Sequence, residues 1–312
     1  MIYVEMRDLT PVTPDTTRFG FLNENATARW SAGVISPLPD FDQVISDMKQ
    51  DPQVYGGWCY PPQTSVMACN TETKPAPNVG GNFALPCTHQ IAVTDPSLAT
   101  CIPFFIAFFG LLKGRRLQRE GWQHFYGTPV ERKLCDFIPR DDAAVVYVMN
   151  LAAEFMAQHT DESVHNLAFG ALHWHLFAQL YQHEFERFNA QYIALDACYR
   201  LAVKTGSITD IGGHPKRAQR LCEHFDVPVP TWAAAPSCEL AKRRNQLVHE
   251  AFYGGQPLGF GHPADHGLMD LGLRCLVARI FFRILGVDNE YTRSESTIRA
   301  MHSFAAPRGL RT

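Results

Sequence analysis

An arginine, an asparagine and a histidine stand within six residues of one another in the run Arg244-Asn245-Gln246-Leu247-Val248-His249. An imidazole moves a proton near neutral pH, a guanidinium grips an anion through its planar fork of donors, and an amide can orient either group. Laid out at ~100° per residue, a helix through this run places Leu240, Ala241, Leu247, Val248, Ala251 and Phe252 in one apolar arc of roughly 140°. Arg244 falls near the middle of that arc, where its charge needs an answer, because an unpaired buried guanidinium is costly. His249 sits on the arc's edge with Asn245 one turn before it, and Lys242 and Arg243 point toward solvent. Asp196 is the best-placed carboxylate for Arg244, ahead of Glu184 and Glu186. The bland alternative is an arginine paired in the core beside a histidine with no task.

Other chemistry-bearing groups are more diffuse. Basic clusters at Lys113-Gly114-Arg115-Arg116 with Arg119, at Lys216-Arg217 with Arg220, and at Lys242-Arg243-Arg244 could track a polyanion, with Trp122, Phe125 and Tyr126 near the first for base stacking. Taken singly, each reads as a solvated face. Cys59, Cys69, Cys87 and His89 are metal-ligand types, but they lack a tight Cys-x2-Cys knuckle. His173 and His175 are two apart and so nearly opposite on a helix; with His183 they read as helix histidines, and no metal is expected. Nucleophile-elbow, Walker and dinucleotide-loop motifs are absent from the sequence.

The elements that would position these groups change character along the chain. Residues 1–140 are punctuated by Pro37-Leu38-Pro39, Tyr60-Pro61-Pro62, Lys74-Pro75-Ala76-Pro77 and Gly80-Gly81, a pattern of strands and loops. Short apolar runs at 90–93 and 104–109 are candidate strands, although such runs are ambiguous between strand and buried helix. From Asp141-Asp142 the pattern is helical. One helix starts there, and a longer one spans 164–204 with Tyr181, Phe185, Phe188, Tyr192, Leu195, Tyr199 and Ala202 alternating at four and three. Thr205-Gly206-Ser207 closes it, and Gly212-Gly213-His214-Pro215 opens a third helix to residue 225. A fourth begins near Ser237, and a fifth covers 268–285. The expected fold is α+β: an N-terminal, mainly β or irregular domain (1–140), an all-α bundle (141–290) and a tail (291–312).

Composition bounds the rest. The chain has 312 residues, 46% of them hydrophobic, enough for two ordinary cores. A net charge of −3 gives no whole-molecule attraction to nucleic acid, so any RNA binding must be local. Residues 1–15 lack a secretory pattern, and the apolar stretch 101–112 contains Pro103 and falls short of a membrane span. Nine cysteines in no regular framework suit reduced thiols, so the expectation is a cytoplasmic protein without membrane contact.

The run RNQLVHE resembles the Arg-x4–6-His motif of HEPN domains, in which a polar residue often follows the arginine. Its surroundings are similar to the ApeA-like branch in three consecutive segments, LHWHLFAQLYQHEFERFNAQYIALDACYRL, HPKRAQRLCEHFDVPVPTW and RNQLVHEAFYGGQPLGF, within a resemblance covering residues 141–287. The resemblance implies a four- or five-helix bundle that dimerises, so that two motifs meet in one cleft, and in many members a metal-independent endoribonuclease. In that chemistry His249 serves as base and its mate in the second subunit as acid. Arg244 clamps the phosphate, and Asn245 orients His249 or binds a phosphate oxygen. Asp196 and Glu250 are supporting candidates. Other HEPN families carry a tyrosine two positions after the histidine; Ala251 stands there, and Tyr253 is the nearest substitute. Lys242, Arg243, Lys216, Arg217 and Arg220 are the expected RNA contacts. No cofactor is expected. The partners implied are RNA and a second copy of the chain, with a phage-derived trigger or an antitoxin as further candidates; the competing reading is a non-catalytic module that binds RNA, nucleotide or protein.

Overall fold

The structure is a computed structural model and describes residues 16–67, 73–77, 81–131, 133–134, 139–257, 267–296 and 306. It is α+β. A five-stranded antiparallel sheet runs Gln118–Arg119, Thr16–Gly20, His89–Val93, Gly33–Pro37, Ala28–Trp30 in spatial order. Ile91 stands opposite both Thr17 and Ile35, and Phe19, Ile35, Ile91 and Val93 alternate into the core. That alternation is what makes 90–93 a strand, as its sequence suggested. Helix α1 (Phe41–Gln50) and short pairings, including the hairpin Gln63–Met67 with Thr73–Pro77, complete this half.

The run 104–109 is not a strand. It lies in α2 (Ile102–Lys113), introduced by a 3-10 turn at Pro96–Cys101 whose Asp95 caps Ser97 N–H. Pro103 occupies the first turn, where its missing N–H costs nothing, and Gly114 at φ 67° ends the helix. With no polar face, α2 has only one place to go, the centre of the molecule. Phe105 meets Trp30 at 5.9 Å between ring centroids and Phe109 meets Phe19 at 6.4 Å on the sheet side. On the other side Phe108 lies 6.2 Å from Phe281 and 5.9 Å from Phe282. Residues Pro96–Lys113 pass the length and hydropathy test for a membrane span, yet most of that stretch is buried inside the protein. One apolar core runs unbroken from Phe19 to Tyr291, so the sheet and the helices share it across residue 140.

Beyond Asp141, which caps Ala144 N–H at 2.9 Å, come α3 (Asp142–Gln158), α4 (Glu162–Ala178), α5 (Glu184–Lys204), α6 (His214–His224), α7 (Glu239–Asn245), α8 (Gly267–Ile284) and the short α9 (Glu290–Arg293). The helix expected over 164–204 is two helices, α4 and α5, folded against each other. Residues 179–183 break it without proline or glycine. His183 and Glu186 form a reciprocal capping box, and Arg187 Nη1 donates to the carbonyls of Tyr181 (3.2 Å) and Gln182 (2.6 Å), satisfying groups the break exposes. The aromatic stripe therefore starts inside α5, where Phe188, Tyr192, Leu195, Tyr199 and Ala202 are buried. The region is also not free of strands. Phe252-Tyr253 pairs with Gln256-Pro257 around Gly254 (φ 58°) and Gly255 (φ 79°), a two-residue turn that glycine adopts without strain.

Candidate functional site

Helix α7 is only seven residues long, and the chain leaves it in a π-helical turn, Gln246–Glu250. Residues five apart on an α-helix point ~140° away from each other. A π turn, closed by i→i+5 bonds, winds less per residue and brings such residues toward one side. Ala251 N–H closes the turn on Gln246 O, and Ala251 itself takes φ 56°. The result is contact between the two motif residues: Arg244 Nη1 donates to His249 Nε2 at 2.9 Å and to Asn245 Oδ1 at 3.1 Å. Arginine can only donate, so Nε2 of His249 carries the lone pair and the neutral ring keeps its proton on Nδ1. Asn245 thus orients the guanidinium and reaches the imidazole only through it. All three side chains are open to solvent on at least part of their surface.

The arc laid out at 100° per residue fails beyond Asn245. Leu240 and Ala241 are buried and Leu247 is half-buried against the core, but Val248, Ala251 and Phe252 are exposed, Val248 by 51% and Phe252 by 39%. Arg243, expected in solvent, is the buried arginine. The hairpin folds back so that the Tyr253 ring lies 5.8 Å from the Arg243 guanidinium, while Arg243 Nε donates to Glu239 one turn earlier at 3.3 Å. Tyr253 is fully buried, 5.5 Å from Phe188, and donates to Asp270 Oδ1 at 2.9 Å. It is a core residue and cannot meet a substrate in the way a solvent-facing tyrosine could.

Asp196 does not answer Arg244. Its Oδ1 is held by Arg217, and the Arg217 guanidinium also lies 4.8 Å from the Tyr199 ring, which removes Arg217 from the solvent-facing basic set. Glu186 is spent on the α5 cap, and Glu184 Oε2 is buried without a hydrogen bond. Glu250 is exposed at the end of the π turn. Lys216, Arg220 and Lys242 are exposed on α6 and α7, as expected. The first basic cluster is largely internal instead: Arg115 donates to Asn23 Oδ1 and Glu131 O, Lys113 pairs with Glu24 and Asp142, and Arg116 is 5% exposed, leaving only Arg119 of this cluster exposed.

Two residues whose titration Arg244 influences carry no motif signal. Tyr192 on α5 and His214 at the start of α6 share a hydrogen bond, Oη to Nδ1, of 2.8 Å, and Asp196 Oδ1 stands 4.0 Å from the same nitrogen. Burial holds His214 below the usual imidazole range, followed by the charge of Arg217, against the opposing pull of Asp196; Arg244 lowers it further. Burial likewise raises the Tyr192 phenol, with Asp196 adding to the rise and Arg244 opposing it. The charge of Arg244 thus reaches both residues, although its hydrogen bonds go to Asn245 and His249. The only hint in the sequence was the Tyr192 position in the aromatic stripe.

The remaining candidates resolve as structural. Cys59 and His89 are buried, His89 stacked on Phe19 with Nδ1 3.0 Å from Thr88 Oγ1; Cys69 lies outside the described residues. His175 Nδ1 pairs with Gln191 Oε1 at 3.1 Å. Among the described residues no group of three His, Cys, Asp or Glu side chains could hold a metal ion, and the seven described cysteines are free thiols. Compared with protein-family models, curated proteins and solved structures, the chain matches none.

Proposed function

We propose that the chain is a metal-independent endoribonuclease of the HEPN type, working as a homodimer. One observation carries the reading: a π turn at an exposed helix end brings Arg244, Asn245 and His249 into one hydrogen-bonded group. His249 Nε2 presents a lone pair and Arg244 a partly exposed guanidinium, a proton acceptor beside an anion clamp. When an RNA phosphate engages Arg244, Nε2 is freed to take the 2′-hydroxyl proton. The 2′-oxygen attacks phosphorus, Arg244 holds the charge gathering on the phosphorane, and the 5′-oxygen leaves with a proton from His249 of the partner subunit. Cyclic 2′,3′-phosphate and 5′-hydroxyl ends result, and nothing in the sequence of steps calls for a metal.

Val248 and Phe252 support the dimer, being large apolar side chains left exposed on the π turn and at the start of the hairpin. Exposed Lys216, Arg220 and Lys242 supply the local positive charge that a net charge of −3 withholds overall. Purified protein incubated with mixed cellular RNA and EDTA should cleave it, and His249→Ala and Arg244→Ala should each lower the rate about a hundredfold or more. Cleavage persisting in both variants would remove this site; an inert wild type that still binds RNA would make the domain a binding module.

A further inference from the structure

Five of the seven large apolar side chains left exposed among the described residues fall in two short segments: Tyr55 and Tyr60 in one, Trp122, Phe125 and Tyr126 in the other. A three-stranded antiparallel sheet joins the segments, in spatial order Thr128–Pro129, Trp58–Cys59, Val54–Tyr55. Side chains alternate across its two faces. Cys59, 2% exposed, turns inward to a small core with Phe21, Met48, Phe83 and Val130, so its neighbours Trp58 and Tyr60 face outward. Tyr55 stands opposite Trp58 in register, and Tyr60 N–H continues the pairing by donating to Gln53 O at 3.0 Å. The Tyr60 ring rests on Gly127, where an added Cβ would come within 2.9 Å of Tyr60 Cε1 and 3.6 Å of Trp58 Cε3. Tyr126, beside that glycine, is 57% exposed, with its ring 6.0 Å from that of Tyr181. The inner core closes without these rings. A patch of exposed aromatic side chains on a paired backbone marks a contact surface.

Charge and hydrogen bonding restrict the partner. Residues 52–63 and 121–130 contain no Asp, Glu, Lys or Arg, and of the basic cluster that precedes Trp122 only Arg119 is exposed. A nucleic-acid strand needs a positively charged groove beside its stacking rings, and this face does not provide one. The hydroxyls of Tyr55, Tyr60 and Tyr126 and the indole N–H of Trp58 make no hydrogen bond among the described residues, so the face presents flat rings and donors without charge. A polyproline II helix complements that surface. It has no internal hydrogen bonds, so its carbonyls are open to accept, and its prolines bring no N–H that would need an acceptor. We propose that the outer face of this sheet, built from Tyr55, Trp58, Tyr60 and Tyr126, binds a proline-rich segment of a partner protein in the polyproline II conformation. The proline rings lie against the aromatic rings, and the carbonyls accept from the phenol and indole groups. Gly127 acts as a positioning residue, since its missing side chain lets Tyr60 and Trp58 close over it.

Fluorescence anisotropy of labelled decaproline titrated with the full chain tests this. Decaproline should bind with a dissociation constant of about 100 μM or tighter, and a labelled Gly-Ser decapeptide about tenfold more weakly or worse. Unlabelled decaproline should displace the probe, whereas a 2′-O-methylated uridylate decamer, which cannot be cleaved, and a glucose hexasaccharide should not. Tyr55→Ala and Tyr126→Ala, at exposed rings whose loss spares the core, should each weaken binding about fivefold or more. Tyr60→Phe, which keeps the ring and loses the hydroxyl, should weaken it about twofold to threefold, and Gly127→Ala should weaken it by displacing the Tyr60 ring. His249→Ala should bind decaproline as wild type does, and Tyr55→Ala should leave RNA cleavage unchanged, which separates this face from the proposed nuclease centre. Equal binding of the Gly-Ser peptide, displacement by the uridylate or the sugar at the concentrations where decaproline competes, unchanged affinity in both Tyr55→Ala and Tyr126→Ala, or no saturation at millimolar protein would each overturn the proposal.

Discussion

Arg244 Nη1 lies 2.9 Å from His249 Nε2, and the contact exists because the backbone between them is a π turn rather than an α-helix. The arginine fixes the tautomer of the histidine by donating to its Nε2 lone pair. Fork geometry therefore matters as much as charge. Arg244→Lys keeps the cation but gives up the planar guanidinium, whose Nη1 donates to both Asn245 Oδ1 and His249 Nε2 and whose fork would hold a phosphate through two parallel N–H donors. In an RNA cleavage assay it should lose most of what Arg244→Ala loses, about tenfold to a hundredfold; near-wild-type activity would show that charge alone suffices.

Ala251 ends the π turn at φ 56°, a left-handed conformation that costs a residue with a Cβ about 1 kcal/mol relative to glycine. Ala251→Gly should raise the melting temperature by about 2 °C, and Ala251→Val should lower it. The first change leaves the Arg244–His249 contact in place, so cleavage should survive in Ala251→Gly; a lower melting temperature there would mean that the turn carries no strain.

Tyr253 separates a structural from a catalytic role. Fully buried, it donates to Asp270 and is flanked by Phe188 and Arg243. Tyr253→Phe keeps the ring but leaves that oxygen of a buried carboxylate without its donor, a loss of about 1–2 kcal/mol. Denaturant unfolding should register it while RNA cleavage, measured below the melting range, stays unchanged. A large fall in cleavage with native stability would return Tyr253 to the site.

How far the sequence could be read follows from these same residues. Helix ends were legible because their signals are local: Asp141 caps, Pro215 sits in a first turn, and Gly206 and Gly286 take φ of 75° and 85° beyond helix ends. Helix α2 was ambiguous because a run apolar on every side has no period, and only its place between sheet and bundle decides its form. A helical wheel assumes 100° per residue throughout, so it could not see the π turn that joins Arg244 to His249. Nor could it see the hairpin that folds Tyr253 over Arg243 and makes that arginine the buried one. Gly254-Gly255 between short apolar flanks is the local signal for that hairpin. Tyr192 and His214 meet through tertiary packing of α5 on α6, for which one sequence holds no periodic trace.

Asp270 gives the first pH dependence. Burial pushes its carboxyl up to about 6, against the lowering effect of the Tyr253 hydrogen bond. A carboxyl raised in the folded state binds its proton more tightly than in the unfolded chain, so it lowers stability as pH rises from about 4 to about 6 and stays unfavourable above that. Asp270→Asn keeps an acceptor for Tyr253 and removes the charge. It should stabilise the protein by about 2 kcal/mol at pH 7.5 and by little at pH 4, read by chemical denaturation. Equal effects at both values would mean that the carboxyl is not raised.

Two buried histidines and the half-buried His173 work in the opposite sense. Burial holds His89, His124 and His173 near 4, 3 and 4, with Arg116 adding to the depression of the last two and Lys113 to that of His89. An imidazole depressed in the folded state must lose its proton to fold, so stability is complete above the unfolded value of about 6.5 and falls as pH drops from there to about 4. With three such groups against one raised carboxyl, acid should win, and denaturation midpoints should decline steeply between pH 6.5 and 4. His89 offers the cleanest test because its ring stacks on Phe19 and stands edge-on to Phe41 at 5.5 Å, contacts that a phenyl ring can keep. His89→Phe should flatten that decline and raise acid stability while leaving the neutral-pH midpoint within about 1 kcal/mol of wild type. A decline of unchanged slope in this variant would mean that His89 does not have to lose a proton for the chain to fold.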